Sequence, residues 1–519
     1  MSQETLPPPA AATPPPAGRS VLLIIFLLTA TDFLQSGMTA FGAGPISGEL
    51  SLSPEDFSLV AAVYAAVAIV AISLQRWLVE RFGPRRCVQV AAAIFIAGSV
   101  VCASSDGFGG FLSGRVLMAI GGGGMFTTAR MVIHHCLAGP RRFLGIKCLA
   151  GGLSASLGIA PWLVALAVTH ENWAAIYWLT AGMGAALLLL AGNALPARLR
   201  TAAEAGAVSL WHQLLLLGGS LGLLVGMQRL YYDFYGESAA VLMWVAVSVV
   251  AVALYLRWQH RSERPLLRLR PMLRPRYLTG LAIFLFAYTM LGANNVVIPQ
   301  MLQRTFGYGW GTVGNIQALG FSAAFATWWV MMRLVPKSPS PKKFLVTGFS
   351  CLSLYGALLS RLTLDATVWW YIVPALALNS VFLLTVMPVT AMQSFREMEQ
   401  DEALFANAQQ LKNMMSQAGI ALGIMLATVG QQRWAAVHYP TLTSRLSTAD
   451  PAFQEAVRRA QASLGPTLDP GEGARLATAM VFRQVEQQAL LLANIDYFQL
   501  VAVLGLAGAV LVVVQRVFR

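Results

Sequence analysis

Charge is what this 519-residue chain has least of: Asp, Glu, Lys and Arg together make up 11% of it, against 56% hydrophobic residues. Soluble domains carry about a quarter charged residues. A larger core does not explain the deficit, because single cores stop growing near ~250–300 residues. The surplus apolar surface needs lipid as its solvent. Cysteine is sparse as well. Cys87, Cys102, Cys136, Cys148 and Cys351 show no paired spacing, which argues against a disulfide framework and a metal site. A phosphate-cradling Gly-rich loop, a zinc-binding His/Glu motif and a Ser-nucleophile motif are all missing, and so is a soluble stretch to host chemistry. ATP-driven pumping and a membrane-embedded enzyme are therefore unsupported, and neither a cofactor nor catalytic residues are expected. The net charge of +13 does not indicate nucleic acid, since the charges sit in short clusters between long apolar runs and read as topology signals.

What is present is a succession of apolar runs. A helix needs about 20 apolar residues to cross a bilayer core. Runs that qualify cover 20–42, 57–75, 88–105, 110–134, 144–169, 174–195, 208–227, 239–257, 278–300, 311–334, 344–361, 368–392, 405–431 and 494–516. The expectation is an all-α polytopic membrane protein with 14 transmembrane helices. Residues 1–19, with Pro7 to Pro9 and Pro14 to Pro16, read as a disordered tail that is not a signal peptide. Lys and Arg fix the orientation. With the N-terminus inside, the cytoplasmic loops receive Arg76, Arg81, Arg85, Arg86, Arg141, Arg142, Lys147, the arginines of 257–276, Arg333, Lys337, Lys342 and Lys343. The short loops opposite hold only Arg229, Arg304 and Arg361. Both termini are expected in the cytoplasm. The segment 432–493 is expected as a long outer loop. It contains one helix opened by Asp450-Pro451 and a second, from Asp469-Pro470, that runs on into the last span.

After the second run the sequence reads Leu78-Val79-Glu80-Arg81-Phe82-Gly83-Pro84-Arg85-Arg86. Gly83 allows a tight turn, and Glu80 with Arg81, Arg85 and Arg86 suits a charge network that caps helix ends. This segment resembles the loop signature of the major facilitator superfamily. Arg115-Val116-Leu117-Met118-Ala119-Ile120-Gly121-Gly122-Gly123 is similar to the family's fourth-helix motif. Downstream, Pro265 to Leu273, Pro299-Gln300-Met301-Leu302-Gln303 with Phe306-Gly307-Tyr308, and Asn413, Gln417, Gly419 and Gly423 add to it. With fourteen runs and a long loop before the last, residues 20–516 resemble the EmrB-type drug:proton antiporters. The resemblance implies two six-helix bundles, at 20–196 and 277–516, with an inserted helix pair at 207–258. It also implies a substrate site near the midplane and rocking of the bundles to alternate its exposure. The setting it implies is a bacterial inner membrane, with a periplasmic adaptor and an outer-membrane channel as partners. The 432–493 loop then reads equally as an adaptor dock and as a lid over the outer vestibule.

The chain departs from the pattern at three places. The family's first-helix Asp position falls on Ser36, while Asp32 lies one turn away as the only carboxylate well inside a run. In the thirteenth helix Ser416 holds the family's Arg position, and Lys412 lies one turn before it. Both charges sit at a depth of roughly 14–18 Å at 1.5 Å per residue. Either the polar centre has moved one turn toward the cytoplasm, with Asp32 and Lys412 sharing a hydrated cavity, or the two changes are unrelated. In the fifth helix Ala160-Pro161 followed by Val164-Ala165 replaces Gly-Pro and a Gly pair, which weakens the signature for exchange against protons.

The function expected is proton-coupled efflux of amphipathic small molecules, drugs or weak acids. Asp32 would carry the proton and Arg115 would modulate it, since the proton affinity of a carboxyl follows its local field. An uptake symporter or facilitator for an anion is the alternative, because Arg115, Arg130 and Lys412 outnumber one acid and buried cations demand partners. Arg130 is expected to snorkel to the interface. Further candidate cavity residues are Gln35, Tyr64, Met118, Tyr288, Asn294, Asn295, Asn379, Gln409 and Gln410, amide, aromatic and thioether groups suited to adaptable binding. His134 and His135 are adjacent and do not share a helical face, so no metal site is expected there.

Overall fold

A computed structural model describes residues 18–197, 208–232, 234–335, 337, 340–363, 366–444, 450–464 and 470–518. The expected tail up to residue 17, Arg445 and the capping Asp469 lie outside these residues. Among the described residues the structure is helical, with no strand. The first bundle comprises α1 (Arg19–Phe41), α2 (Ala43–Glu49), α3 (Pro54–Phe82), α4 (Pro84–Ala103), α5 (Phe108–Gly122), α6 (Met125–Cys136), α7 (Pro140–Thr169) and α8 (Ala175–Ala194). A pair follows, α9 (Leu210–Tyr232) and α10 (Phe234–Arg261). The second bundle comprises α11 (Pro275–Gln300), α12 (Trp310–Leu334), α13 (Pro341–Leu359), α14 (Val373–Phe395), α15 (Glu402–Thr443), α16 (Pro451–Leu464) and α17 (Pro470–Val514). Each of the fourteen apolar runs carries a helix. Among the described residues twelve helices are long and apolar enough to cross a membrane, and α12 and α13, of 25 and 19 residues, occupy the two remaining runs.

Local chemistry places the breaks. Ser53 caps α3 by accepting from the Asp56 amide while the Asp56 carboxylate accepts from the Ser53 amide, satisfying two otherwise orphaned donors. Gly83, at φ 84°, lies in the region that favours glycine and joins α3 to α4, with Pro84 opening α4. The span expected at 110–134 is broken at Gly123-Gly124 into α5 and α6. The glycines there permit close approach: a Cβ on Gly121 would strike the α4 backbone, one on Gly123 would meet Ala68 of α3, and one on Gly124 would meet Gln75.

Two seams join the bundles, α3 against α15 and α7 against α12. The glycines missing from α7 have counterparts on its neighbours. Ala160 faces Gly37 of α1, and Ala165 faces Gly314 of α12. Small-residue packing is kept with the glycine moved to the opposite helix. The segment expected as a loop at 432–493 is helical over most of its described length, because α15 runs on to Thr443 and α17 begins at Pro470. Ala, Gln and Arg beyond the apolar stretch are good helix formers and carry the helix out of the apolar zone. The 42 residues of α15 span about 63 Å at 1.5 Å per residue, roughly twice a bilayer core.

Gly98 offers a test of this packing. A Cβ there would lie 2.6 Å from the Met118 amide nitrogen and 2.7 Å from the Gly114 carbonyl oxygen, whereas one on exposed Gly182 would meet nothing within 4 Å. Gly98→Val is expected to destabilise by about 1–3 kcal/mol through overpacking and Gly182→Val to be neutral, as read by thermal unfolding of the purified protein.

Candidate transport site along the seam

The apolar face of α1 carries two polar side chains one turn apart, Asp32 and Gln35, 6% and 1% exposed. Gln35 ties three helices together. Its Nε2 donates to Tyr64 Oη of α3 at 2.6 Å and to Ser36 Oγ at 2.7 Å, and its Oε1 accepts from Arg115 Nη1 of α5 at 2.8 Å. The Arg115 guanidinium also lies over the Tyr64 ring, 4.2 Å from its centroid. Arg115 is thus held by a neutral amide, an aromatic face and a long contact to Met118 Sδ at 3.8 Å, with Nε unpartnered. No ion pair joins it to Asp32 among the described residues.

Asp32 is the only carboxylate among the buried polar residues described. It lines a small cavity with Ser36, Tyr288, Asn413, Ser416 and Gln417. Lys412, 2% exposed, lies near it without an ion pair. Its Nζ donates to Tyr288 Oη at 3.3 Å and sits 4.7, 5.2 and 5.3 Å from the ring centroids of Phe126, Phe284 and Tyr288. Tyr288 and Phe126 are therefore common to both charges, each bordering the cavity of Asp32 and contacting Lys412. Arg130 is half-buried. Its guanidinium lies over Phe126 at 5.3 Å and its Nε is buried without a partner.

The cavities form a series. One, of about 370 Å³, is lined by Gln300, Arg304, Thr428, Gln431 and Asn494 among other polar and apolar residues. Phe57 and Ile424 border both it and a second cavity that includes Tyr64, Arg115 and Gln417. Ser36, Gln417 and Ile420 in turn border both the second cavity and that of Asp32. Past Asp32, toward the arginine-rich end, the seam is closed. Arg76 Nη1 donates to Asn407 Oδ1 at 2.9 Å and to the Ala403 carbonyl at 3.2 Å, while its Nε pairs with Glu80 at 2.6 Å. Gln410 Nε2 donates to the Ile72 carbonyl at 2.8 Å, and Asn413 Nδ2 donates to Thr127 Oγ1 at 2.7 Å. These bonds join α3 and α6 of the first bundle to α15 of the second.

The remaining candidates fall elsewhere. Gln410 belongs to this seal. Asn294, Asn379 and Tyr497 bond to one another inside the second bundle, Asn294 Nδ2 donating to Asn379 Oδ1 at 3.1 Å and Tyr497 Oη donating to Asn294 Oδ1 at 2.8 Å. Asn295 is half-buried and borders none of the cavities described above. Met118 is fully buried against Cys102 and Arg115. Gln409 is buried with both amide atoms unpartnered. In the loop motif, Glu80 pairs with Arg76, Arg85 Nε caps the end of α8 through the Leu195 carbonyl at 2.9 Å, and Arg81 lies over Trp77. Arg86 is exposed. Sequence reasoning missed Arg76, Asn407 and Gln417. The signal for Asn407 and Gln417 was their spacing with Gln410 and Asn413, four amides on one face of α15; Arg76, on α3, had none beyond its charge.

A sequence model of the Major Facilitator Superfamily matches residues 25–424. The chain is 23% identical over 491 residues to the MFS-type transporter YhcA of Bacillus subtilis (strain 168), covering 91% of this chain and 88% of that one. It is 22% identical over 440 residues to the probable multidrug resistance protein EmrY of Escherichia coli (strain K12), covering 82% and 83%. Among solved structures, a bacterial homologue of the human lysosomal transporter Spinster, inward-facing and unoccupied, aligns with a TM-score of 0.56 at 14% identity over 97% of this chain and 98% of that one. A POT peptide transporter in complex with sulfate aligns with a TM-score of 0.59 at 14% identity over 96% and 95%.

The Gln35 junction yields a graded prediction. Gln35→Leu leaves Arg115 and Tyr64 without this buried partner and is expected to destabilise by about 1–3 kcal/mol. Tyr64→Phe keeps the ring beneath Arg115 and is expected to cost less. Thermal unfolding of both variants in detergent checks the order.

Proposed function

The chain belongs to the major facilitator superfamily, and from that premise we propose that it exports amphipathic small molecules in exchange for protons. It is a multi-pass membrane transporter and not an enzyme. The observation that carries the proposal is Asp32, the lone buried carboxylate among the described residues, at the foot of cavities that widen toward one end of the seam and stop at a polar seal toward the other. A carboxyl so placed takes up or loses a proton through whichever end is open, and parting the Arg76–Asn407 seal while closing the vestibule reverses its access. Arg115 acts through Gln35, which stands one turn from Asp32 on the same helix face. The multidrug resistance name of EmrY and the multidrug export name of its relative EmrB support amphipathic substrates, as does the mixed apolar and amide lining of the vestibule. The Lys and Arg distribution supports cytoplasmic termini in a bacterial inner membrane, with the vestibule outside.

The tall α15–α17 extension supports a vestibule wall, because Gln431, Gln432, Ala435, Leu490 and Asn494 at its base line the cavity of about 370 Å³. Docking of an adaptor at its tip is the second reading.

Asp32→Asn is expected to abolish pH-gradient-driven movement of a neutral amphipathic dye such as Nile red in proteoliposomes while leaving dye binding in place. Undiminished gradient-driven transport by that variant removes Asp32 from the mechanism, and dye accumulation in the direction of proton flow turns the assignment to uptake. Deleting 445–480 is expected to reduce transport in membrane vesicles as well as whole-cell resistance. Loss of resistance alone selects adaptor docking.

A further inference from the structure

On the arginine-rich side of Phe126 lies a polar cluster that the proton reaction does not use. Arg130 and Lys412 stack on the same Phe126 ring, at 5.3 and 4.7 Å, so two basic side chains converge with no carboxylate at ion-pair distance from either among the described residues. Arg130 Nε has no partner, and Gln409, 2% exposed, has none for either Nε2 or Oε1. Arg130 and Gln409 border one cavity, together with Thr127, His134, His135 and the apolar Met131, Phe405 and Ala406, and Lys412 meets Arg130 at the shared Phe126 ring rather than in the cavity wall.

An arginine is charged at any physiological pH, and leaving buried donors unmade is costly. A bundle that keeps such a cluster has a state in which something fills it. The donors outnumber the acceptors: guanidinium, ammonium and the Gln409 amide all point to an electron-rich group, and the neighbouring Met131 and Phe405 suit an apolar body attached to it. The cavity measures about 20 Å³, room for roughly one water, so the site is contracted while the adjoining seal is shut.

We propose that Arg130, Lys412 and Gln409 form an anion subsite at the sealed end of the seam, which takes the carboxylate or sulfonate head of an amphipathic substrate when the Arg76–Asn407 seal parts. This rests on the transporter reading above and adds a substrate class to it. Gln409 lies one turn before Lys412 on α15, and Phe126 separates the subsite from the cavity of Asp32, so substrate and proton occupy neighbouring compartments.

Salicylate and salicylamide share a shape and differ in charge, which makes them the probes. With the full chain purified in a neutral detergent at constant ionic strength, salicylate is expected to raise the unfolding temperature and salicylamide not to. Arg130→Gln and Lys412→Gln are each expected to weaken the apparent salicylate affinity about tenfold, the loss of one charge-assisted contact. Gln409→Leu removes the unpartnered amide. It is expected to raise the unfolding temperature without ligand while reducing the salicylate response, a combination that mere structural damage does not give. Equal shifts with salicylamide, or a salicylate shift unchanged in both basic-residue variants, overturn the proposal. An equal shift with chloride at the same concentration marks an inorganic-anion site only and also overturns it. Gradient-driven Nile red transport with no salicylate shift sinks this inference alone. An intact salicylate shift without gradient-driven transport sinks the proton-exchange reading alone.

Discussion

A polar group inside a lipid-embedded bundle must find its partner in the protein, because hydrocarbon offers none. That constraint organises this molecule. Gln35 satisfies Arg115 and Tyr64 at once. Asn407 accepts from Arg76 and donates to the Leu266 carbonyl at 2.8 Å, so one side chain holds α3, α15 and the segment before α11. Lys412 makes do with a phenol and three aromatic faces. The same accounting distinguishes scaffold from working parts. Asn294, Asn379 and Tyr497 complete one another and read as structure, whereas Arg130 and Gln409 are left incomplete.

The seam between the bundles is asymmetric for the same reason. Toward the arginine-rich end it is closed by directional bonds between side chains and backbone carbonyls, which open together once their geometry is lost. Toward the vestibule the walls are mostly apolar with scattered amides, and the space between them stays open. Small residues make the sliding surfaces. Gly314 against Ala165 lets the two bundles approach without interlocking side chains, so the halves can move relative to each other at low cost, while Gly37 against Ala160 packs α1 on α7 within the first bundle. The inserted pair adds a wall to this arrangement. Gln213 Oε1 of α9 accepts from Ser73 Oγ of α3 at 2.9 Å, and Leu221, Leu224 and Val225 cover Ala62, Ala65 and Ala421 where α3 meets α15.

Much of the architecture was legible in the chain, because a helix in lipid satisfies its own backbone and announces itself by length and hydropathy alone. The turn at Gly83, the cap at Asp450-Pro451 and the helix entering the last span follow from local rules that need no partner. The outer segment was less legible. Hydropathy marks where a helix leaves the apolar zone and not where it ends, so the continuation of α15 to Thr443 escaped it. The candidate site was legible in part. Asp32, Arg115 and Lys412 stand out because charge is rare in apolar runs, and Gln35 stands out by its place on the face of Asp32.

The class of the protein, its helices, its family and the few residues able to carry charge through the bundle follow from composition and short-range spacing. Who answers whom follows from the packing of the helices. It placed Gln35 at Arg115, Tyr288 between the interests of Asp32 and Lys412, and Asn407 at Arg76, and it left Gln409 and Arg130 facing a shared cavity. Those pairings join residues 80, 256, 331 and 279 positions apart, across helices whose rotation and crossing are set by packing against several neighbours at once, which no local rule specifies.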